Sequence, residues 1–120
     1  MSTSNYRKLD VWQKAMDLVV ECYAVSKKLP REELYGLISQ LQRAAVSVPA
    51  SISEGQGREH RKEFLHHLSI AHGSLAELET HLQIAERLGY LSSDEVQSLL
   101  TRSEEIGKMI NGLRKALRHE

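Results

Sequence analysis

Histidine and glutamate occur in the chain at spacings that helical metalloenzymes use. Glu63 and His66 form one Glu-x-x-His pair, the unit from which di-metal sites in helical bundles are built. Such a site needs a second pair on another helix and two more inward glutamates, and the sequence holds no second pair. Glu77 and His81 lie four residues apart but have no partner pair. We therefore predict no metal site and no cofactor.

A second spacing is that of helical ribonucleases of the HEPN class, in which an arginine precedes a histidine by about one helical turn. Arg61 precedes His66, and Arg114 precedes His119, at this spacing. A chain with 6 histidines also produces such spacings by chance. We predict no catalytic residue, and a helical ribonuclease or a metal-dependent enzyme stays as the alternative function.

Four amphipathic helices must position these side chains. Apolar residues recur at alternating steps of three and four, the period of one helix face, and no alternating strand pattern is present. Short connections between long helices favour antiparallel neighbours, so the predicted fold is all-α, an up-down-up-down four-helix bundle with helix two kinked near Pro49. The prediction is one domain, residues 1–120, with helices at about 10–29, 31–55, 59–88 and 93–117.

Local signals mark several helix ends. Ser92 and Glu95 have the spacing of a capping box at the start of the fourth helix. Asp10 and Gln13 have the same spacing at the start of the first helix. Gly89 is expected to end the third helix, because glycine favours the position after a helix C-terminus.

Helix one carries a second apolar row in addition to its core stripe. The row consists of Trp12, Met16, Val19 and Tyr23. One interpretation is a wide core face with a half-exposed tryptophan. The other is an oligomer interface, because aromatic residues and methionine are enriched at subunit contacts.

Composition limits the classes of function. The 120 residues have 16 Lys+Arg and 16 Asp+Glu, a net charge of zero, which argues against a strongly cationic nucleic-acid coat protein. Cys22 is the single cysteine, so a disulfide scaffold is excluded and a cytoplasmic location is expected. No apolar run is long enough for a membrane span, and the polar residues 1–5 do not read as a secretory signal.

Four segments in order resemble one bacterial protein family. They are residues 9–15 (LDVWQKA), 40–49 (QLQRAAVSVP), 53–55 (SEG) and 71–80 (AHGSLAELET). The chain resembles, over roughly 6–117, the four-helix-bundle proteins encoded by intervening sequences in 23S rRNA genes, some of which are called S23 ribosomal proteins. The accessory variability protein of diversity-generating retroelements is similar to this family.

The resemblance implies an antiparallel four-helix protomer, a homopentamer, and no established enzymatic activity. The retroelement relative binds nucleic acid and reverse transcriptase through a strongly basic surface. This chain differs from it in having zero net charge, and it has Tyr6 and Ser51 where the family pattern has Phe and often Asn. We therefore expect a homo-oligomer, with nucleic acid or another protein as its partner and no membrane association.

Five residues of the resembling segments have assignable structural roles. Gly73 is expected to allow close approach of a neighbouring helix, since glycine inside a helix costs about 1 kcal/mol relative to alanine. Arg43, Glu54, Glu77 and Glu79 flank apolar stripes. They are solvated charges, ion pairs between helices or subunits, or catalytic carboxylates, and the sequence leaves these three interpretations open.

The predicted topology brings three basic segments to one end of the bundle. These are the start of helix one, the turn between helices two and three, and the end of helix four. They could contact nucleic-acid phosphates, or they could serve solubility and the helix dipole. The candidate contacts are Arg7, Lys8, Arg58, Arg61, Lys62, Arg114, Lys115 and Arg118. Tyr6 is the only aromatic residue directly adjacent to one of these cations in the sequence, so any binding is expected to be salt-sensitive rather than base-specific.

Overall fold

The computed structural model describes residues 3–119, and these residues form helices joined by turns, without a strand. Met1, Ser2 and Glu120 lie outside the described residues, so the structure does not address the first two residues of the polar start. The all-α prediction of four helices is confirmed. The four are α1 (Asp10–Ser26), α2 (Leu37–Gly57), α3 (Arg61–Arg87) and α4 (Ser93–Arg118). Two short 3-10 helices are also present, one before α1 at Thr3–Lys8 and one between α1 and α2 at Arg31–Glu33.

Each helix packs against its neighbours in the chain, and α4 also packs against α1. The apolar stripes meet in one core of leucine, isoleucine, valine and alanine side chains. Three ion pairs join α1 and the turn after it to α4, and their residue numbers increase along the first segment as they decrease along α4, which is the order of antiparallel neighbours. The three pairs are Lys14–Glu105 (2.7 Å), Glu21–Arg102 (3.0 Å) and Lys28–Glu95.

Helix α2 begins later and ends later than the predicted 31–55. Pro30 is extended, and the residues after it form a 3-10 turn instead of the first turn of the α-helix. The Glu33 carboxylate then accepts the Leu37 backbone N–H (3.2 Å) and the Tyr90 hydroxyl (3.1 Å), which stabilises the start of α2. Pro49 lies inside the helix, and the kink expected there stays a prediction.

Helix α1 ends at Ser26 rather than at the predicted residue 29. The Ser26 hydroxyl donates to the Tyr23 carbonyl (2.8 Å) and accepts from the Gln42 side-chain amide (3.0 Å). These two bonds satisfy polar groups in the last turn and tie it to α2. Leu29 is buried in the core although it lies outside the helix.

The capping box at the start of α4 is confirmed, and the one predicted for α1 is wrong. Glu95 N–H donates to the Ser92 hydroxyl (3.1 Å), and Ser92 N–H donates to the Glu95 carboxylate (3.0 Å). Helix α1 has Leu9 as its N-cap, because the preceding 3-10 helix leads directly into it. Gln13 instead donates its side-chain amide to the Arg7 carbonyl (2.9 Å).

Gly89 ends α3 as predicted, with a positive φ of 81°. Tyr90 N–H donates to the Ala85 carbonyl (2.9 Å) and Gly89 N–H to the Glu86 carbonyl (2.9 Å), the two bonds of a Schellman motif. Within residues 3–119, none of the helices has the length and apolar character that crossing a membrane requires.

Candidate functional site

Contacts between helices bring the three basic segments to one end of the molecule. Lys14 near the start of α1 pairs with Glu105 in the second half of α4. The His72 ring nitrogen and the Asn111 amide, 3.3 Å apart, join α3 to the same part of α4. The N-terminal 3-10 helix packs on α1 and α2. The start of α1, the turn before α3 and the end of α4 therefore form a common end, which we call the basic end.

Some of the basic side chains at this end are already engaged. Arg58 donates to the Glu54 carboxylate (2.8 Å) and lies 3.5 Å from the Glu63 carboxylate. This pairing raises the pKa of Arg58 and lowers the pKa of Glu54. The hydrogen bond from Arg58 is the largest cause of the lower pKa of Glu54. The Arg7 guanidinium lies over the Tyr6 ring, 5.5 Å from its centroid.

Arg61 is engaged as well, and the remaining five basic side chains divide into two groups. Arg114 is half-buried and donates to the Asn111 side-chain carbonyl (3.2 Å). Four others are exposed, and none of them has a hydrogen bond or ion pair with any residue between 3 and 119. These four, which we call the free cations, are Lys8, Lys62, Lys115 and Arg118.

Two of the four charged motif residues make contacts between helices. The Ser103 hydroxyl, fully buried on α4, donates to the Glu79 carboxylate on α3 (2.5 Å). The Glu54 carboxylate on α2 lies 3.4 Å from the His67 Nε2 atom on α3. Both contacts fix the alignment of neighbouring helices. The contact of Glu79 is a hydrogen bond from a hydroxyl and not one of the ion pairs that the sequence left open.

The other two charged motif residues, Arg43 and Glu77, line a polar groove between α2 and α3. The groove has a volume of about 410 Å³ and opens to solvent. We call it the α2–α3 groove, and its lining residues are Tyr35, Ser39, Gln40, Arg43, Ala44, Ser47, Ser74 and Glu77. The hydroxyls of Ser47 and Ser74 are 2.8 Å apart and join its two walls.

The predicted close approach at Gly73 is absent from the protomer. A Cβ added to Gly73 would meet no atom within 4 Å, because this residue lies on the exposed side of α3. The close approach occurs at Gly55, where a Cβ would lie 2.6 Å from the Cβ of His67. Sequence inspection missed this because the glycine that faces a neighbour cannot be identified from spacing alone.

The second apolar row of α1 is only partly exposed. Trp12 and Val19 pack against the protomer's own core, and Trp12 makes an edge-to-face contact with Tyr6 at 5.1 Å between centroids. Met16 and Tyr23 are exposed, at 39% and 42%. Val20, absent from the predicted row, is 68% exposed. The oligomer interface at Trp12, Met16, Val19 and Tyr23 stays a prediction.

The residues considered for catalysis do not assemble into a recognisable centre. Residues 3–119 contain no group of three or more His, Cys, Asp or Glu side chains placed to hold a metal ion. His66 is exposed and lies edge-on to His67, with centroids 5.4 Å apart. Cys22 is buried, and burial raises the pKa of its thiol to about 12, which disfavours the reactive thiolate at neutral pH.

Comparisons with known proteins agree with this architecture. The family model described as 23S rRNA-intervening sequence protein matches residues 7–112. A crystal structure from Bacteroides thetaiotaomicron, of a protein with unknown function from the S23 ribosomal protein family, has a TM-score of 0.81 and 25% sequence identity. The match covers 88% of this chain and 98% of that one. No curated protein matches the chain.

Proposed function

The chain belongs to the 23S rRNA-intervening sequence protein family, and from this premise we propose that it is a non-catalytic helical scaffold whose basic end binds nucleic-acid phosphates. The observation that carries the proposal is the set of four free cations contributed by three separate segments to one end. They are Lys8, Lys62, Lys115 and Arg118.

Two of the acidic side chains near this end have partners other than the free cations. Glu54 is engaged by Arg58 and His67, and Glu63 is also within reach of Arg58. A local positive field can therefore exist on a chain with zero net charge. Such a field attracts the phosphate backbone and releases counterions, which makes binding depend steeply on salt.

The surface supports backbone contact more than base recognition. Tyr6 and Phe64 are the aromatic residues closest in sequence to the basic segments. The Tyr6 ring already contacts Trp12 and Arg7, and Phe64 packs against the core. Stacking on unpaired bases needs exposed aromatic faces, and Tyr6 is half-buried. The proposed ligand is therefore a nucleic-acid backbone, with sequence preference absent or weak.

We expect Lys62→Glu with Lys115→Glu to weaken binding to labelled duplex RNA and DNA by about tenfold or more at low salt, because two cations that contact phosphate become anions. The slope of log affinity against log salt should fall by about two, since each phosphate contact contributes about one. Fluorescence anisotropy over a salt series measures both quantities.

The matched control is Arg31→Glu with Arg87→Glu, which changes the net charge equally at the other end of the bundle. This double variant should retain most of the wild-type affinity. Equal losses in the two double variants would mean that only overall charge matters. Absence of binding by the wild-type protein at low salt would contradict the proposed function.

A further inference from the structure

A chain of three polar side chains connects the groove between α3 and α4 to the basic end. His72 lies in this groove, and its Nε2 atom is 3.3 Å from the side-chain nitrogen of Asn111 on α4. The side-chain oxygen of Asn111 accepts a hydrogen bond from Arg114 (3.2 Å), further along α4. Asn111 therefore uses both ends of its amide at once, one for a histidine and the other for an arginine.

The direction of these two hydrogen bonds sets the charge of His72. An amide nitrogen donates and never accepts, so the Nε2 atom of His72 must accept with its lone pair. The ring is then the neutral imidazole, with its proton on Nδ1. The bond from Arg114 depends on this state, because the same orientation of the amide points the Asn111 oxygen away from His72 and towards Arg114.

Protonation of His72 makes this arrangement unfavourable. Both ring nitrogens of a protonated histidine are donors, so Nε2 would face the donor nitrogen of Asn111. Turning the amide over brings its oxygen to His72 and removes the mismatch. The same rotation points the amide nitrogen at Arg114, whose guanidinium has donors and no acceptor, so the bond from Arg114 is lost.

Arg114 has an incompletely satisfied guanidinium even before this rotation. Its Nε atom is buried without a hydrogen-bond partner among residues 3–119. Arg118, one of the free cations, lies four residues further along the same side of α4. A guanidinium released from Asn111 can therefore turn outward beside Arg118, where phosphate oxygens satisfy its donors.

We propose that His72 is a pH sensor for the basic end: its protonation turns the Asn111 amide, releases Arg114 and adds this arginine to the free cations. The inference rests on the proposed function and deepens it, because it names how phosphate binding is regulated. Histidine changes charge between about pH 5 and pH 8, so the basic end binds phosphate more tightly on the acidic side of this range.

The groups that face His72 carry charges of both signs. Every residue that lines the groove belongs to α3 or α4, and the charged ones besides His72 are Glu79, Glu104 and Lys108. The two carboxylates favour a protonated ring. Lys108 disfavours it, as does Arg114 on the far side of Asn111. No single ion pair therefore locks the ring in one charge state.

The test separates an effect through Arg114 from the charge of the histidine itself. Fluorescence anisotropy with labelled duplex RNA at one low salt concentration gives the affinities at about pH 5.5 and about pH 7.5, and their ratio is the pH effect. His72→Gln keeps an acceptor for Asn111 at both pH values. This variant should lower the pH effect by about threefold, which corresponds to one phosphate contact.

The same substitution is then made in the Arg114→Gln background. There His72→Gln should leave the pH effect unchanged, because no arginine remains to be released. A direct effect of the histidine charge on phosphate would instead lower the pH effect equally in both backgrounds. The matched control is His66→Gln, an exposed histidine of the same helix that lies outside the groove, and it should act equally with and without Arg114.

A second measurement needs no nucleic acid. The NMR signals of the Asn111 amide and of the Arg114 Nε–H group should shift with the His72 ring in one pH transition, and this transition should be absent from His72→Gln. Signals that ignore the His72 transition would overturn the proposal, as would equal losses of the pH effect in the two backgrounds. Absence of RNA binding at both pH values, with the NMR transition present, would refute the proposed function and retain the switch itself.

Discussion

At the scale of single residues, Glu95 shows how one side chain can serve two elements. Its carboxylate accepts the Ser92 backbone N–H at the start of α4 and pairs with Lys28 just after α1. The hydrogen bond from Lys28 is the largest of the effects that lower the pKa of Glu95 from 4.5 to about 2. The residue therefore connects a local cap to a contact between distant parts of the chain.

Glu95→Gln should make the protein less sensitive to acid. The pKa of Glu95 is lower in the folded than in the unfolded state, so its contribution to stability is complete above about pH 4.5 and is lost as the pH falls towards 2. Urea unfolding between pH 6 and pH 2 (about four units, spanning this window) measures the loss. Glu104→Gln, which removes an exposed carboxylate of α4 without breaking a salt bridge, should leave the wild-type dependence. An unchanged pH dependence in Glu95→Gln would contradict this account.

At the scale of elements, α2 and α3 are held together by a close approach at Gly55. Its hydrogen faces the His67 Cβ and the Phe64 ring, which a methyl group would contact at 2.6 Å and 3.2 Å. The His67 ring also contacts the Glu63 carbonyl (2.9 Å) and lies near Glu54. This end of the helix pair therefore has little room to adjust.

Gly55→Ala should lower the free energy of unfolding by about 1–3 kcal/mol, because the added methyl group forces α2 away from α3. Gly57→Ala is the matched control, since a Cβ at Gly57 meets nothing within 4 Å. This control should be neutral or more stable by up to about 1 kcal/mol, through higher helix propensity. Chemical denaturation of the two variants gives the comparison, and equal stabilities would argue against the close approach.

At the scale of the whole molecule, the fold assembles the basic end from three separate segments. The start of α1 and the turn before α3 lie beside the part of α4 that carries Lys115 and Arg118. A nucleic acid long enough to reach all three segments can contact several cations at once, so that weak phosphate contacts act together.

Binding should therefore depend on the length of the nucleic acid. A duplex of a few base pairs should bind the wild-type protein at least about tenfold more weakly than a duplex that spans the basic end. Anisotropy with the two duplex lengths at one salt concentration measures the difference. Equal affinities at both lengths would mean that the cations of the three segments do not act together.

Much of the element-level description could be predicted from sequence, because helical periodicity and caps are local properties. The three- and four-residue steps place Val11, Leu18, Leu41 and Leu78 in the core, and the structure buries them all. The Ser92 and Glu95 cap depends on residues three apart, and it is present. The late start of α2 was not predictable, because it involves Tyr90, which is far from Glu33 in the chain.

The sequence by itself determined the number of helices, the core-facing sides and the family, since each depends on residue types at short spacings. The tertiary structure alone decided which surfaces stay uncovered. In the structure Trp12 is partly buried and Val20 is exposed. A Cβ at Gly73 would meet no atom within 4 Å, whereas a Cβ at Gly55 would clash with His67. Arg58 forms an ion pair, and Lys62 has none within residues 3–119. These outcomes depend on distances between residues far apart in the chain, which packing sets and periodicity does not encode.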